Sequence, residues 1–458
     1  MLGNYQHNSD IQYMGQVAPV QLPAELDGYN IRRGFWETSD LMYRFSLQVM
    51  ARKIAHLKSN PLPPAEAAVP DMQQLPAVTK MVERPRPFEV DLAALEGMVK
   101  ELSALFKDYK ELFNSNVMLV AVEQDNYRLT SENVRLKFPL GLVGLTVSAS
   151  VRTTDGSTVS DVLAISSLDN PADLPSIEEL KKKVKDFADN LMELKETPMI
   201  EEYYTGPVLF EGGAASRLFT DNLLSPGRLL ALRTMAPARG MLDEQLGRRI
   251  IDSRLTVKNY TTLAEYNGTP LFGCYEIDGD GVVPAAELTL VENGVFKRML
   301  NGRVPTLKAP ESTGSARFMI SPDNPMAIVS PGTIHVQASK GVGPEKLKKA
   351  LLKAAKEADL EYAYIVRRIG GEASAVYKVN VKDGKEIRVR VNNLSAPELT
   401  KLMDLKGISS DERVMNYFPN GVPASLIYPS AIIVGDVEIN RTTPKIEEEP
   451  VLKHPLQR

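Results

Sequence analysis

The stretch that decides the fold is YYTGPVLFEGGAASRLF, residues 203–219. Gly206 and Pro207 precede three apolar residues, Val208, Leu209 and Phe210. Small residues follow (Gly212, Gly213, Ala214, Ala215, Ser216), then Arg217, Leu218 and Phe219. The pattern predicts a short buried strand feeding a helix whose first turn has almost no side chain. Small residues there admit another backbone or a ligand, and a helix N-terminus presents free N–H donors. The junction has the build of a catalytic mount, yet it offers no His, no Cys and only one carboxylate, Glu211.

Working outward from this stretch, 458 residues suffice for two or three domains, each with its own core. A hydrophobic fraction of 43% and a charged fraction of 24% are ordinary for a globular chain. The net charge of −4 argues against nucleic-acid binding by bulk charge. A single cysteine, Cys274, excludes an intrachain disulfide framework. No apolar run reaches the ~20 residues of a membrane helix, so no membrane partner is expected. The N-terminus has neither a basic nor an apolar signal region, which makes a cytoplasmic location the expectation as the sequence stands. The four histidines (His7, His56, His335, His454) have no metal-motif spacing, and His56 reads as a solvated helix-end residue.

In the first half, apolar spacing predicts a helix from Thr38 with Leu41, Phe45, Val49 and Ala55 near one face. A Pro-rich arm, 60–87, and a second helix over 91–112 follow. Strands are expected over 117–122, 134–138, 141–152 and 162–165, with a turn at Asp155-Gly156. Pro175 and Ser176 open a charged helix, 177–196, striped with Leu180, Val184, Phe187 and Leu191. The lysines at 181–183 read as its solvated face. The main boundary falls here, giving an N-terminal domain over 1–198 and a C-terminal domain over 199–458.

Beyond the central stretch, 271–276 reads as a strand in which Cys274 packs as a small hydrophobe. Asp278-Gly279-Asp280-Gly281 is an acidic turn, since Val283 and Thr289 stand where a calcium loop needs Gly and Glu. Asn293-Gly294 between two apolar runs predicts a type I′ hairpin. Residues 344–360 form an amphipathic helix with Leu347, Leu351, Ala354 and Ala358 inward, and Asp383-Gly384 turns a second hairpin. Ser395 and Glu398 suggest a capping box, and 424–439 is strand-rich. Helices concentrate early and antiparallel hairpins late, which is α+β.

Four C-terminal pieces in order carry a resemblance: YTGPVLFEG, the acidic turn with VPAAE, LVENGVFKRML, and ESTGSAR. Together they resemble the TldD/PmbA family, also described as modulators of DNA gyrase. The likeness covers most of 199–439 and extends more weakly through VKELSALFKDY and LTSENVRLKFPLGLVGLTVSA. The resemblance implies a zinc peptidase assembly with two kinds of subunit, in which the TldD-type subunit carries H-E-x-x-x-H on the helix after the PVLL-type strand. In this chain those His, Glu and His positions fall on Glu211, Gly212 and Ser216, and no cysteine follows Cys274 to supply a late thiolate.

The chain thus looks like the PmbA- or TldE-type subunit, with no cofactor of its own and zinc only in a TldD-type partner. The chain also resembles exported bacterial members of the family, so an exported or periplasmic location is the alternative should a signal segment be missing. The expected function is that of a non-catalytic subunit that pairs with a zinc-bearing paralogue and accepts an unfolded peptide. The alternatives are a free-standing homodimeric peptide-binding or scaffold protein and a hydrolase built on Glu211 and Ser216. A homodimer or heterodimer through the second domain is expected, because its hairpin edges would otherwise lie open. Glu211, Gly213 and Ser216 are expected to line a substrate cleft, with the ESTGSAR loop as facing wall and Arg317 holding a peptide carboxylate.

Overall fold

The structure, a computed structural model, describes residues 27–440 apart from 71, 85, 169, 234–240, 322–325, 371–372 and 392–393. His7, His454, the mixed N-terminal segment and the charged tail lie outside the described residues. Six α-helices are described: α1 (Gly28–Ser59), α2 (Pro64–Ala67), α3 (Leu92–Ala104), α4 (Ile177–Glu196), α5 (Gly213–Leu223) and α6 (Pro344–Glu357). The chain is α+β with mixed and antiparallel sheets.

The central strand, Tyr204–Glu211, lies inside a six-stranded sheet, parallel to Tyr362–Arg368 and antiparallel to Ala431–Ile439. Both its faces are covered, which is why its sequence is a continuous apolar run. Val208 and Phe210 join the main core, while Leu209 joins Ile365 and Ile433 beneath Leu347 and Leu351 of α6. A second six-stranded sheet contributes Val257, Leu290, Ile334, Val336 and Leu426 to the main core. α5 touches both sheets, burying Ala214, Ala215, Leu218, Phe219 and Leu223 between them.

In the first half, the strands Leu112–Leu129, Val134–Arg152 and Thr158–Ser167 form a meander. Val78–Met81 of the Pro-rich arm joins it in parallel, pairing Val78 with Val134. α3 and α4 cover one face of this sheet. α4 forms with the expected bounds and stripe, and its Ser176–Glu179 capping box is complete. The two strands expected over 134–152 are one, running through Pro139, where the parallel partner has already ended.

Several other elements differ from expectation. α1 starts at Gly28, ten residues early, because the Asp27 carboxylate accepts from the Tyr29 and Asn30 amides and caps it there. Its expected inward face is exposed or half-buried. Residues 271–276 form no strand, because Gly273 lies against the Gly332–Thr333 backbone in a chain crossing. Cys274 is exposed rather than packed. Glu398, not Ser395, precedes the helical turn Leu399–Met403, with no side-chain cap. The Asn293-Gly294 turn has φ of 48° and 80°, as type I′ requires.

The two halves interlock at several places, among them the far end of the long hairpin and the foot of α4. At the far end of the long hairpin, Val134 and Leu136 pack on Ile277, and Arg128 pairs with Asp280 at 3.0 Å. At the foot of α4, Arg390 donates to the Thr197 carbonyl (2.9 Å), to Ser157 Oγ (2.9 Å) and to Asp155. Arg388 reaches Asn190 (2.7 Å) and Glu193 beside it.

Candidate functional site

The junction between the central strand and α5 is built by backbone rather than by side chains. Gly212 takes φ 55°, ψ −126°, a conformation open to glycine, and its N–H donates to the Ser430 carbonyl at 2.8 Å. No side chain caps α5. Glu211 turns outward, pairing with Arg367 at 3.1 Å; Arg367 also binds Glu386 (2.8 Å) and lies over the Tyr377 ring (4.3 Å). Burial works to raise the Glu386 carboxyl, but Lys348 at 2.6 Å and Arg367 outweigh it and hold it below its ordinary range. Ser216 is buried and its Oγ donates to the Gly213 carbonyl at 2.8 Å. Gly213 is exposed, and an added Cβ there would meet only the Arg367 carbonyl at 3.9 Å.

The loop 311–317 folds onto the acidic turn. The Asp278 carboxylate accepts from the amides of Asp280 (2.9 Å), Val282 (2.9 Å) and Ala316 (3.0 Å). Even against these donors, burial pushes its pKa up to about 6. Gly314, at φ 69°, sits against Pro284 of the VPAAE piece. Asn301, just after the hairpin piece, holds the loop by accepting from the Thr313 amide (3.1 Å) and donating to the Ala309 carbonyl (2.8 Å). Three of the four pieces that are separate in sequence therefore form one knot.

Arg317 is buried in that knot, at 8% exposure. Its Nη1 donates to the carbonyls of Pro331 (2.7 Å) and Pro423 (2.5 Å), and the guanidinium stacks over Tyr275 at 4.4 Å. Burial lowers its pKa. The Ser330, Thr333 and Tyr417 hydroxyls of the neighbouring segments are buried and have no hydrogen-bond partner among the described residues. Arg317 is thus committed to carbonyls and a ring, while Glu211 is committed to Arg367.

Sequence reasoning missed one polar set. His335 Nε2 meets Glu412 Oε1 at 2.9 Å, the Tyr266 hydroxyl donates to the other Glu412 oxygen, and Gln337 lies 3.3 Å from His335 Nδ1. His335 and Gln337 share one strand, but Tyr266 and Glu412 come from two others, so no spacing announces the set. The available signal was alternation, since Thr333, His335 and Gln337 face away from Ile334 and Val336 of the core.

The donors at the α5 start do not fit a zinc site: one carboxylate is tied to Arg367, Gly212 has no side chain, and Ser216 is turned to backbone. Among the described residues, no group of three or more His, Cys, Asp or Glu is placed to hold a metal.

Comparison with known proteins agrees with this architecture. The family profile of the PmbA/TldA metallopeptidase C-terminal domain matches residues 204–440, more than half the chain. The fold is similar to that of TldE from Thermococcus kodakarensis, with TM-score 0.52 at 16% identity, covering 83% of this chain and 81% of that one. It is also similar to a candidate modulator of a DNA gyrase from Thermotoga maritima, with TM-score 0.51 at 15% identity, covering 81% of each. A search of curated proteins returns no match. The second half is thus a domain of the metallopeptidase C-terminal class. The chain belongs to the PmbA/TldD family.

Proposed function

We propose that this chain is the non-catalytic, PmbA- or TldE-like subunit of a metallopeptidase assembly. In this reading it pairs with a zinc-bearing TldD-type paralogue and takes part in peptide or protein processing. The observation that carries it is the α5 junction: it keeps the strand-to-helix form of the family but presents Glu211, Gly212 and Ser216 where three zinc-chemistry side chains would be needed. Neutral imidazole binds zinc well and a serine hydroxyl poorly, so no hydrolytic step is assigned to this chain. Its role is to complete the assembly and to shape a surface for an extended peptide, for which open sheet edges are suited.

The test is reconstitution. The chain and a zinc-bearing paralogue are purified separately, mixed, and assayed on an unfolded peptide, with zinc measured by elemental analysis. The expected result is cleavage in the mixture only, with zinc following the paralogue. One tightly bound zinc per copy of this chain, lost on Ser216→Ala or Glu211→Ala, would overturn the reading. So would cleavage by the paralogue that is unchanged when this chain is absent.

A further inference from the structure

The knot around Asp278 and the 311–317 loop holds a cation with no anion. Arg317 is 8% exposed, yet among the described residues no carboxylate pairs with it. A guanidinium taken out of water ordinarily brings its counter-charge along, because an unpaired buried charge is costly. The carbonyls of Pro331 and Pro423 both take their hydrogen bonds from Nη1. A guanidinium has five N–H groups, so those on Nε and Nη2 remain. Neither nitrogen bonds to any described residue, and neither is sealed from solvent. The Nη1 end and the face on Tyr275 are committed, and the Nε–Nη2 edge is not.

The surroundings are rich in donors and short of an acceptor. Ser330 and Thr333 stand on either side of Pro331, and Tyr417 pairs across the sheet with Ala424, next to Pro423. Their three hydroxyls are the buried ones with no partner among the described residues. The Tyr275 hydroxyl is already spent on the Gly314 carbonyl at 2.8 Å.

We propose that the Nε–Nη2 edge of Arg317 is a carboxylate-binding site. That edge presents two parallel N–H groups at the spacing of two carboxylate oxygens. With Nη1 held on backbone and the guanidinium plane set by Tyr275, the fork has little freedom left to lose on binding. The groups near enough to act on Arg317 are Tyr275, Cys274 and Tyr417, with no second cation among the described residues. One positive charge matches a carboxylate rather than a phosphate dianion. The narrow exposure admits a carboxylate only at the end of a stem. The ligand is therefore the C-terminal end of a peptide or a small free acid. The site is read from Arg317 and its neighbours and does not rest on the subunit reading.

Cys274 is the only cysteine, is exposed and lies in the field of Arg317, so its thiol reports on the site. Binding to the full chain is measured by titration calorimetry at constant ionic strength. The ligands are acetate, an alanine peptide with a free C-terminus, the same peptide amidated, and inorganic phosphate. The rate at which Cys274 reacts with neutral dithiodipyridine is followed in the same solutions. The free-acid peptide or acetate should bind saturably, and slow the thiol about threefold or more as the cation beside it is cancelled. The amidated peptide should bind about tenfold or more weakly than its free acid. Tighter binding of the peptide than of acetate identifies a chain end, and equal binding a small acid. Arg317→Lys keeps the charge but loses the fork, and should weaken carboxylate binding about tenfold, with circular dichroism confirming the fold. Should that variant not fold, the acid–amide comparison on the parent chain decides. Equal binding of acid and amide overturns the proposal, as does no saturable binding or tighter binding of phosphate. Carboxylate binding that leaves the Cys274 rate unchanged places the ligand elsewhere and also overturns it. No cleavage is measured, so failure here leaves the subunit reading standing.

Discussion

α1 and α4 begin alike, each with a capping side chain that accepts from the first-turn amides, Asp27 in one and Ser176 in the other. Their fates differ. α4 buries Leu180, Val184, Phe187, Ala188, Leu191 and Leu194 against the first sheet and α3, whereas the longer α1 buries only Lys53. Apolar periodicity and a cap determine that a helix forms and where it starts. They do not determine what covers it. α4 is held because the meander lies under its stripe and because Arg388 and Arg390 of the second half grip its last turn.

The largest expected effect sets one helix directly against the other. Leu191→Ala should cost about 2–5 kcal/mol, the usual range for a large side chain removed from a packed core. Leu41→Ala, measured in urea at a concentration low enough for monomer, should change stability by less than about 0.5 kcal/mol. Equal losses at the two positions would show that α1 is packed within its own chain.

The grip on α4 gives a second test. Burial works to raise the Asp155 carboxyl, but Thr153, Ser157 and the Arg390 guanidinium outweigh it and hold it at about 2. A carboxylate with a depressed folded pKa stabilises the fold above its unfolded pKa of about 4, and that contribution is lost as pH falls from about 4 to about 2. Arg390→Met should cost about 2–3 kcal/mol near neutral pH, less than the about 3–5 for a fully buried pair, because Asp155 keeps some water. Urea unfolding from pH 6 to pH 2 should also show a shallower acid-side loss in the variant. An unchanged acid limb would mean that Arg390 does not set the Asp155 titration.

What the sequence revealed and what it hid follow the same division. The central strand was legible because both its faces are buried, so Val208, Leu209 and Phe210 are all apolar. The whole of α4 was legible because its cap and its stripe agree. The knot joining Asp278, Pro284, Asn301 and the 311–317 loop was legible only as three of the four ordered pieces, because bonds such as that from the Ala316 amide to the Asp278 carboxylate join residues far apart in sequence. The His335–Glu412–Tyr266 set showed in the sequence only as the alternation around His335, since its other members are brought in from other strands. Arg317 looked available in a polar loop, and only tertiary structure places two proline carbonyls and Tyr275 around it.

The contrast between a position fixed by its surroundings and one left open recurs on a smaller scale at the start of α5. Gly212→Ala would put a Cβ 3.1 Å from Arg413 at a positive φ, and should cost about 1–3 kcal/mol by thermal or urea unfolding. A neutral Gly212→Ala would mean that the junction relaxes to ordinary helix geometry.

Gly213, one residue on, has no such requirement: its φ is not positive and a Cβ would stand clear of everything but the Arg367 carbonyl at 3.9 Å. Gly213→Ala should therefore stabilise the chain by about 0.4–1 kcal/mol, chiefly by restricting the unfolded state. A glycine kept at some cost in stability, on an exposed first turn, is accounted for if something must pass close to it. Gly213→Leu separates the two explanations. The variant should fold as well as the parent by circular dichroism and yet, mixed with a zinc-bearing paralogue, lose most peptide cleavage. Cleavage at the parent rate would show that no peptide passes the α5 start, and Glu211 would then serve only its ion pair with Arg367.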